Sequence, residues 1–485
     1  MNCIENINPK EVFQYFYEIS SIPRGSYDTK RISDYCVDFA KKNQLFVVQD
    51  TLNNVIIKKP ATKGYEKEKG IILQGHLDMV CEKTKDSNHN FKKDALELYV
   101  EDEFVKAKDT TLGADNGIAI AYALAILADE SLAHPALEAI FTVDEEVGMD
   151  GAAGISLDDI KGKRFINIDS DEEGILTVGC AGGFRQEMCI PIERESAEGL
   201  SVKIAIKGLA GGHSGVEIHT QRGNAIKLMG RILNSLSHKV AYQLVGVEGG
   251  TKDNVIPSLA EAEILIEGQE YDALQEYLNQ ELSVLKVEFG ADEPQIAIFA
   301  EQGEESKKDI FSQTSKEKIL FFLTCVPNGV QCYHRELPNL VETSLNLGVF
   351  KTDAKNCLAS VLVRSSSESK KEELKQILSN WTDMLQASKK ISGEYPGWSY
   401  DANSELKQQM QSVYKELFKE EPKILSIHAG LECGIFKSRK EDLDCVSFGP
   451  NAYDIHSVNE RVEIASVERM WEYLKAVLAY KEGEN

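Results

Sequence analysis

The segment Phe141-Thr142-Val143-Asp144-Glu145-Glu146-Val147-Gly148 joins an apolar run of strand length to three consecutive carboxylates. Similar apolar runs occupy residues 70–74 and 164–168, and patterns of helical spacing, such as the alanine-rich stretch 117–128, alternate with them. Strands that alternate with helices form α/β domains whose sheet is largely parallel. We therefore predict an α/β fold with a mostly parallel sheet and flanking helices.

The three carboxylates at the end of this strand point to chemistry. Where a strand is buried, neighbouring anions at its end raise one another's pKa and cost stability unless cations compensate. Adjacent glutamates also permit two roles, in which one binds a metal ion and the other accepts a proton from water. Glu145 and Glu146 are therefore candidate functional residues.

Two other apolar runs end in potential ligands. His76-Leu77-Asp78 follows the run 70–74, and residues i and i+2 share a face of an extended chain, so His76 and Asp78 point the same way. One of them could bind a metal ion while the other orients it. Asp169 follows the run 164–168 in the same manner.

Asp115 and His456 complete the set of candidates. Asp115 directly precedes the helix predicted at 117–128, and the N–H groups at a helix N-terminus favour an anion. An ordinary N-cap would also explain Asp115, and a structural histidine would explain His456. These simpler explanations become less favoured when all the candidate residues are considered together.

The carboxyl edge of an α/β sheet is where sites form. Five candidates offer three carboxylates and two imidazoles there: His76, Asp115, Glu146, Asp169 and His456. Such ligands suit zinc, with manganese or cobalt as substitutes. Five ligands are too many for one open catalytic zinc, but they fit two ions if one carboxylate bridges them, and Asp115 is the natural bridge. Two ions about 3.5–4 Å apart would lower the pKa of a water and polarise a carbonyl.

The pattern of apolar and polar residues changes after Gly182-Gly183. Strands that alternate with period two, for example at 201–207 and 358–364, are separated by helical patterns such as 224–238. This order predicts an α+β domain inserted at 188–392. Residues 1–187 and 393–485 would then form one discontinuous catalytic domain.

Composition excludes several classes of partner. The 54 basic and 78 acidic residues give a net charge of −24, which disfavours binding to nucleic acid or to an anionic membrane surface. The first residues, Met1-Asn2-Cys3-Ile4-Glu5-Asn6, have no features of a secretion signal. The ten cysteines are scattered without a Cys-x-x-Cys pair, which is typical of reduced thiols. We expect a cytoplasmic protein.

At this point the residues resemble the zinc dipeptidase family that includes aminoacyl-histidine dipeptidases, cytosol non-specific dipeptidase and carnosinase-like enzymes. The matching stretches run in order along nearly the whole chain: Gly75-His76-Leu77-Asp78-Met79-Val80, Leu112-Gly113-Ala114-Asp115-Asn116-Gly117, Asp144-Glu145-Glu146-Val147-Gly148, Asn167-Ile168-Asp169, Gly211-Gly212-His213-Ser214-Gly215, His428-Ala429-Gly430-Leu431-Glu432-Cys433-Gly434 and Ile455-His456-Ser457.

The resemblance implies how the ligands are shared. His76, Asp115 and Asp169 would hold one zinc ion. Asp115, Glu146 and His456 would hold the other. Glu145 would be the general base, and Asp78 would orient His76.

The resemblance also implies that the inserted domain is a lid that mediates dimerisation. His213 would help to stabilise the oxyanion, Arg364 would meet the substrate carboxylate, and Gly430 and Glu432 would line the pocket. A flexible turn, a surface charge and a helix cap are the simpler explanations of His213, Arg364 and Glu432. Because the insert is longer than the lid of simpler relatives, the subunit that would supply His213 stays open.

The sequence therefore predicts a two-zinc dipeptidase, active on small peptides that include the Xaa-His type, and a homodimer. The first alternative is an amidohydrolase of the same scaffold that acts on N-acyl amino acids or on single C-terminal residues. The second is a non-catalytic acidic protein that binds metal ions. No calcium-binding loop of regular spacing supports that second alternative.

Overall fold

The computed structural model describes residue 4 and residues 7–337 and 339–481. Cys3 and most of the N-terminal segment that we examined for a secretion signal lie outside the described residues. The nine cysteines within them are free thiols. No helix in the described part of the chain is long and apolar enough to cross a membrane.

The chain divides into two compact units. The first comprises Met1–Gly179, Trp398–Ser426 and Leu431–Asn485, and the second comprises Cys180–Gly397 and Ile427–Gly430.

The secondary structure alternates in the first part of the chain and is richer in long strands in the middle. The elements up to the end of the first segment are α1 (Lys10–Ser20), α2 (Lys30–Lys42), β1 (Phe46–Gln49), β2 (Val55–Lys59), β3 (Ile71–His76), β4 (Leu98–Glu101), β5 (Phe104–Ala107), α3 (Ala114–Ala128), β6 (Leu137–Thr142), α4 (Asp150–Gly154), β7 (Arg164–Asn167) and β8 (Ile175–Cys180). The middle of the chain forms β9 (Gly182–Pro191), β10 (Arg194–Lys207), α5 (Ala225–Leu236), β11 (Tyr242–Gly249), β12 (Ala260–Ile266), α6 (Tyr271–Phe289), β13 (Ala297–Phe311), α7 (Gln313–Cys325), β14 (Gly329–Tyr333), β15 (Val341–Thr352), β16 (Asn356–Ser365), α8 (Glu368–Met384) and β17 (Ser388–Tyr395). The last part forms α9 (Glu405–Phe418), β18 (Lys423–Ile427), α10 (Glu432–Arg439), β19 (Asp444–Ser447), β20 (Ala452–Tyr453), β21 (Arg461–Glu463) and α11 (Ile464–Ala479).

The first unit is built on an eight-stranded sheet in the order β1-β2-β6-β3-β7-β19-β8-β18. The four central strands, β6, β3, β7 and β19, are parallel, whereas β1, β2 and β8 pair antiparallel. Every residue of β3, β6 and β7 is buried, which is the pattern of strands covered by helices on both faces. The prediction of a mostly parallel sheet with flanking helices is confirmed.

Helix α3 explains the alanine-rich stretch of the sequence. Almost all of its residues are buried in the core of this unit, so the helix carries no polar face. Alanine side chains let it pack closely, and its Tyr122 ring stacks on that of Trp471 with 5.8 Å between the centroids. The backbone at Asp115 and Asn116 departs from helical angles, so the first turn of α3 is irregular.

The second unit has its own core and a mostly antiparallel sheet of nine strands. The order is β13-β10-β12-β11-β15-β16-β9-β17, and β14 pairs with β15. Our predicted limits, 187/188 and 392/393, fall inside β9 and β17. Both strands pair with strands of the second unit, so the division by packing comes eight residues earlier at one end and a few residues later at the other.

Candidate metal centre

The parallel register of the central strands brings their carboxyl ends together. His76, the last residue of β3, is the register partner of Thr142, the last residue of β6. Glu145 and Glu146 lie in the turn that follows β6, and Asp169 comes two residues after β7 ends. Since all three strands run in the same direction, these side chains reach the same edge of the sheet.

Asp115 lies between the two histidines. Its Oδ1 is 3.0 Å from Nε2 of His76, and its Oδ2 is 3.1 Å from Nε2 of His456. His76 Nε2 is also 3.6 Å from Oδ1 of Asp169, and His456 Nε2 is 3.1 Å from Oε2 of Glu146. Each oxygen of the Asp115 carboxylate therefore faces one imidazole, and each imidazole also lies near a second carboxylate.

These five residues fit a pair of metal ions. Ligand atoms of His76, Asp115 and Glu146 all lie within 4.8 Å of one another. Oε1 of Glu146 is buried and has no hydrogen-bond partner among the described residues, as expected for an oxygen whose partner is an ion. Both imidazoles turn the same nitrogen, Nε2, toward the shared carboxylate, and nitrogen and carboxylate oxygen are the ligands that zinc accepts.

Two acids of the site have raised pKa values. Burial, together with the charges of Asp115 and Glu146, raises the pKa of Asp169 to about 6, although His76 opposes the shift. Burial and the charges of Asp169, Glu432 and Glu146 raise the pKa of Glu145 well above its usual range. Carboxylates that resist ionisation together are expected where cations belong.

Asp78 contacts the segments that carry the ligands. Its Oδ1 lies 3.4 Å from Nδ1 of His76 and accepts the backbone N–H of Glu145 at 3.1 Å. Its Oδ2 accepts the Ser26 hydroxyl at 2.8 Å. Burial opposes ionisation of Asp78, but hydrogen bonds from His76 and Ser26 lower its pKa. The side chain is thus an anion fixed behind the imidazole.

Glu432, the first residue of α10, is 0% exposed and lies under the strand ends. Its Oε2 accepts the Thr142 hydroxyl at 2.7 Å and the side-chain amide of Gln74, while Gln74 accepts the amide of Asn167 at 2.6 Å. Oε1 of Glu432 has no hydrogen-bond partner among the described residues. This polar chain connects β6, β3 and β7 just before the ligands.

Several residues that organise the site were missed by the sequence analysis. Asn116 accepts the backbone N–H of His76 at 3.1 Å and donates to the Ile168 carbonyl at 2.6 Å, so it joins the ends of β3 and β7. Arg24 and Glu460 contact the turn that precedes Asp115. Two of them lie near motif residues, since Asn116 follows Asp115 and Glu460 is four residues after His456, whereas Arg24 lies beside no motif.

The second unit holds the other predicted site residues. Nδ1 of His213 accepts the backbone N–H groups of Gly215 and Val216, both at 3.2 Å. The proton of the neutral ring therefore lies on Nε2. Burial, with the charge of Arg364, lowers the pKa of His213. The chain thus holds a neutral imidazole whose Nε2 is a donor.

Arg364 and Gly430 also belong to the second unit. Arg364, on β16, is buried, donates to the Tyr395 hydroxyl at 3.0 Å and has no partner at Nε among the described residues. It lines a cavity of about 610 Å³ with Arg185, Asp253, Asn254 and Tyr395. Gly430 is half-buried in the segment Ile427–Gly430.

Comparison with known proteins agrees with the geometry. Residues 72–480 match the model of peptidase family M20/M25/M40. Cytosol non-specific dipeptidase of Escherichia coli (strain K12) is 38% identical over 480 residues, which cover 99% of each chain. The crystal structure of aminoacylhistidine dipeptidase from Vibrio alginolyticus has a TM-score of 0.93 and 38% identity, and the match covers 98% of this chain and 97% of that one. Aminopeptidase PepT from Bacillus cereus, with 14% identity and a TM-score of 0.56 over 98% of each chain, shares the fold.

The fold and the site thus define a metal-dependent hydrolase. The chain belongs to peptidase family M20/M25/M40, and it is a dinuclear metallopeptidase. The family that the sequence motifs indicated, the fold class and the class of enzyme are confirmed.

Proposed function

We propose that the chain is a cytosolic dipeptidase, active on dipeptides that include the Xaa-His type, with zinc as its metal. The observation that carries the proposal is the carboxylate of Asp115, whose two oxygens each face one imidazole. The similarity to two dipeptidases over nearly the whole length of each chain supports the substrate class, and the name of the Escherichia coli relative supports the location.

The ligands divide into two groups that share Asp115. His76 and Asp169 would complete one site, and Glu146 and His456 the other. Bound metal ions supply a lowered pKa for water and polarisation of the scissile carbonyl. Asp78 would hold His76 in the tautomer and orientation that present Nε2.

Glu145 would be the general base. It is adjacent to Glu146, it is partly buried, and its carboxylate is not one of the five proposed ligands. It would take a proton from the attacking water and then give that proton to the leaving amine. A base in such a site contributes a factor of about 10²–10⁴ to the rate.

The second unit would contribute substrate recognition. The neutral His213, with its proton on Nε2, has the donor that an oxyanion needs. Arg364 has a positive charge and an Nε without a partner in the described part of the chain, as recognition of a carboxylate needs. Gly430 and Glu432 would line the pocket, and we propose that residues 188–392 act as a lid that mediates homodimerisation.

A substrate panel tests the proposal. Purified protein, supplied with zinc or manganese, should hydrolyse dipeptides, including Xaa-His, at least about 100-fold faster than tripeptides or N-acetylated amino acids. The variant His213→Ala should lower kcat by about 10²–10³ and leave metal content unchanged. Faster turnover of N-acetylated amino acids than of dipeptides would instead favour an amidohydrolase of the same scaffold.

A further inference from the structure

The turn that carries Asp115 is held by one buried carboxylate. Oε2 of Glu460 accepts the backbone N–H groups of Leu112 at 2.7 Å and Gly113 at 2.9 Å. Oε1 accepts those of Ala114 at 2.8 Å and Asp115 at 3.4 Å. Four consecutive amides thus point at one side chain, which is only 2% exposed and lies about 345 positions away in the sequence.

A buried cation also holds this turn, by donating to a backbone carbonyl group of the turn. Arg24, also 2% exposed, donates to the Gly113 carbonyl from Nη2 and to the carbonyls of Leu77 and Asp78 from Nη1, at 3.0 and 3.1 Å. Arg24 therefore ties the His76-Leu77-Asp78 segment to the turn before Asp115. One guanidinium group thus holds the backbone beside two of the proposed ligands, His76 and Asp115.

Glycine is required where the two holding groups meet. Gly113 has a φ of +68°, and a Cβ there would lie 2.6 Å from Nη2 of Arg24 and 2.7 Å from Sδ of Met79. A side chain at this position would be strained and would displace the guanidinium. The backbone of the turn is thus shaped to approach Arg24.

We infer that Glu460 and Arg24 are positioning residues that set the place of the Asp115 carboxylate, and through it the affinity of both metal sites. The inference rests on the proposed ligand assignment. Because Asp115 offers one oxygen to each imidazole, a shift of its turn moves it relative to His76 and His456 together. Residues that hold a ligand in this indirect way typically account for a factor of 10–100 in metal affinity.

Glu460→Gln is the direct test, because the amide keeps the shape but replaces one acceptor oxygen with a donor. Glu138→Gln is the matched control. Glu138 is also buried, at 5% exposed, and accepts the backbone N–H groups of Lys161 and Gly162, but it lies at the amino end of β6. Both variants lose an acceptor for backbone amides, and Glu138→Gln also loses the ion pair with Lys58 at 3.0 Å, so the control has ample structural effect of its own.

Two measurements separate positioning from stability. Metal affinity is measured by titrating metal-free protein with zinc in competition with a chelator, and site geometry by the visible spectrum of cobalt-loaded protein. We expect Glu460→Gln to weaken zinc binding by about 10–100-fold and to change the cobalt spectrum. Glu138→Gln should match the wild type in both. Equal affinity and an unchanged spectrum in Glu460→Gln would overturn the inference.

A second variant protects the test against failure to fold. Arg24→Lys keeps the buried charge but cannot reach three carbonyl groups at once, so it should weaken zinc binding in the same direction. Wild-type affinity in folded Arg24→Lys would also overturn the inference.

Asp115→Asn and His456→Ala report on the ligand assignment itself: if both bind two zinc ions as tightly as the wild type, the assignment fails. If Asp115→Asn and His456→Ala lose metal while Glu460→Gln does not, the ligand assignment stands and only the positioning role of Glu460 is wrong.

Discussion

Strand β6 has acidic residues near both of its ends, Glu138 at one and Glu145 and Glu146 at the other, and their surroundings differ. At the amino end, Glu138 meets Lys58 Nζ at 3.0 Å and the backbone amides of Lys161 and Gly162. At the carboxyl end, Glu145 and Glu146 lie among other carboxylates, and Oε1 of Glu146 has no partner among the described residues. The chain supplies the counter-charge at the amino end, and on the proposed assignment metal ions supply it at the carboxyl end.

The largest expected difference between the two ends is catalytic. Glu145→Gln should lower kcat for a dipeptide by about 10²–10⁴ because the proposed general base is lost, while two metal ions remain bound. Glu138→Gln should leave kcat unchanged. Steady-state kinetics and metal analysis of both variants provide the check, and near-normal turnover by Glu145→Gln would remove that residue from the role.

Removing the metal should destabilise the carboxyl end. Ions that bind only the folded state stabilise it by about 2.7 kcal/mol when free metal is 100 times Kd. Thermal unfolding with zinc and with excess chelator should therefore show a higher Tm with zinc, in the wild type and in Glu138→Gln alike. If Tm is the same with and without metal, the acids at the carboxyl end have no bound cations to balance them.

The next effect concerns Asp78. Its carboxylate contacts the ring of His76 and the backbone of Glu145 and Glu146. Asp78→Asn should weaken metal binding by about 10–100-fold because the imidazole loses its anionic partner. Chelator competition measures this, with Glu138→Gln again as the control. Unchanged metal affinity in Asp78→Asn would mean that His76 is oriented by other contacts.

The smallest expected effect is on stability, and it has opposite signs at the two ends. Glu138→Gln should lower the free energy of unfolding by about 1–2 kcal/mol, since buried amides lose an acceptor.

Burial raises the pKa of Glu432 to about 7 from its usual 4.5, so the unfolded chain binds fewer protons than the folded one between these values. The stability of the metal-free protein should thus fall as pH rises from 4.5 to 7.

Glu432→Gln removes that titration. The difference in free energy of unfolding between Glu432→Gln and the wild type, measured with urea on metal-free protein, should favour the variant more at pH 8 than at pH 4.5. Glu138→Gln should instead be less stable than the wild type at pH 8. An equal loss of stability in both variants at pH 8 would contradict the distinction between the two ends.

Much of the fold could be predicted because its signals are local. The apolar runs before His76, Glu145 and Asp169 are long enough to indicate strands, and parallel strands bring their carboxyl ends to one edge. The limits of the second unit depend on contacts that the sequence does not show. The change of pattern at Gly182-Gly183 marks the start of β9, but the pairing that assigns β9 to the second unit involves β16 and β17, which lie far along the chain.

The supporting residues of the site could not be predicted, for a physical reason. Arg24, Gln74 and Glu460 are ordinary polar residues in the sequence, and their roles depend on partners up to several hundred positions away. A single sequence carries no local sign of such pairing. The candidate ligands could be proposed because several histidines and acids follow apolar runs of strand length, whereas the supporting residues carry no comparable mark in the sequence.

The central claim is that Asp115 bridges two metal ions held by residues from distant parts of the chain. The most direct test is a crystal structure of protein purified without chelator and loaded with zinc, with anomalous data collected at the zinc edge. We predict two peaks per chain, one beside His76 and Asp169 and the other beside Glu146 and His456, with an oxygen of Asp115 toward each. A single peak, or peaks away from Asp115, would contradict the claim.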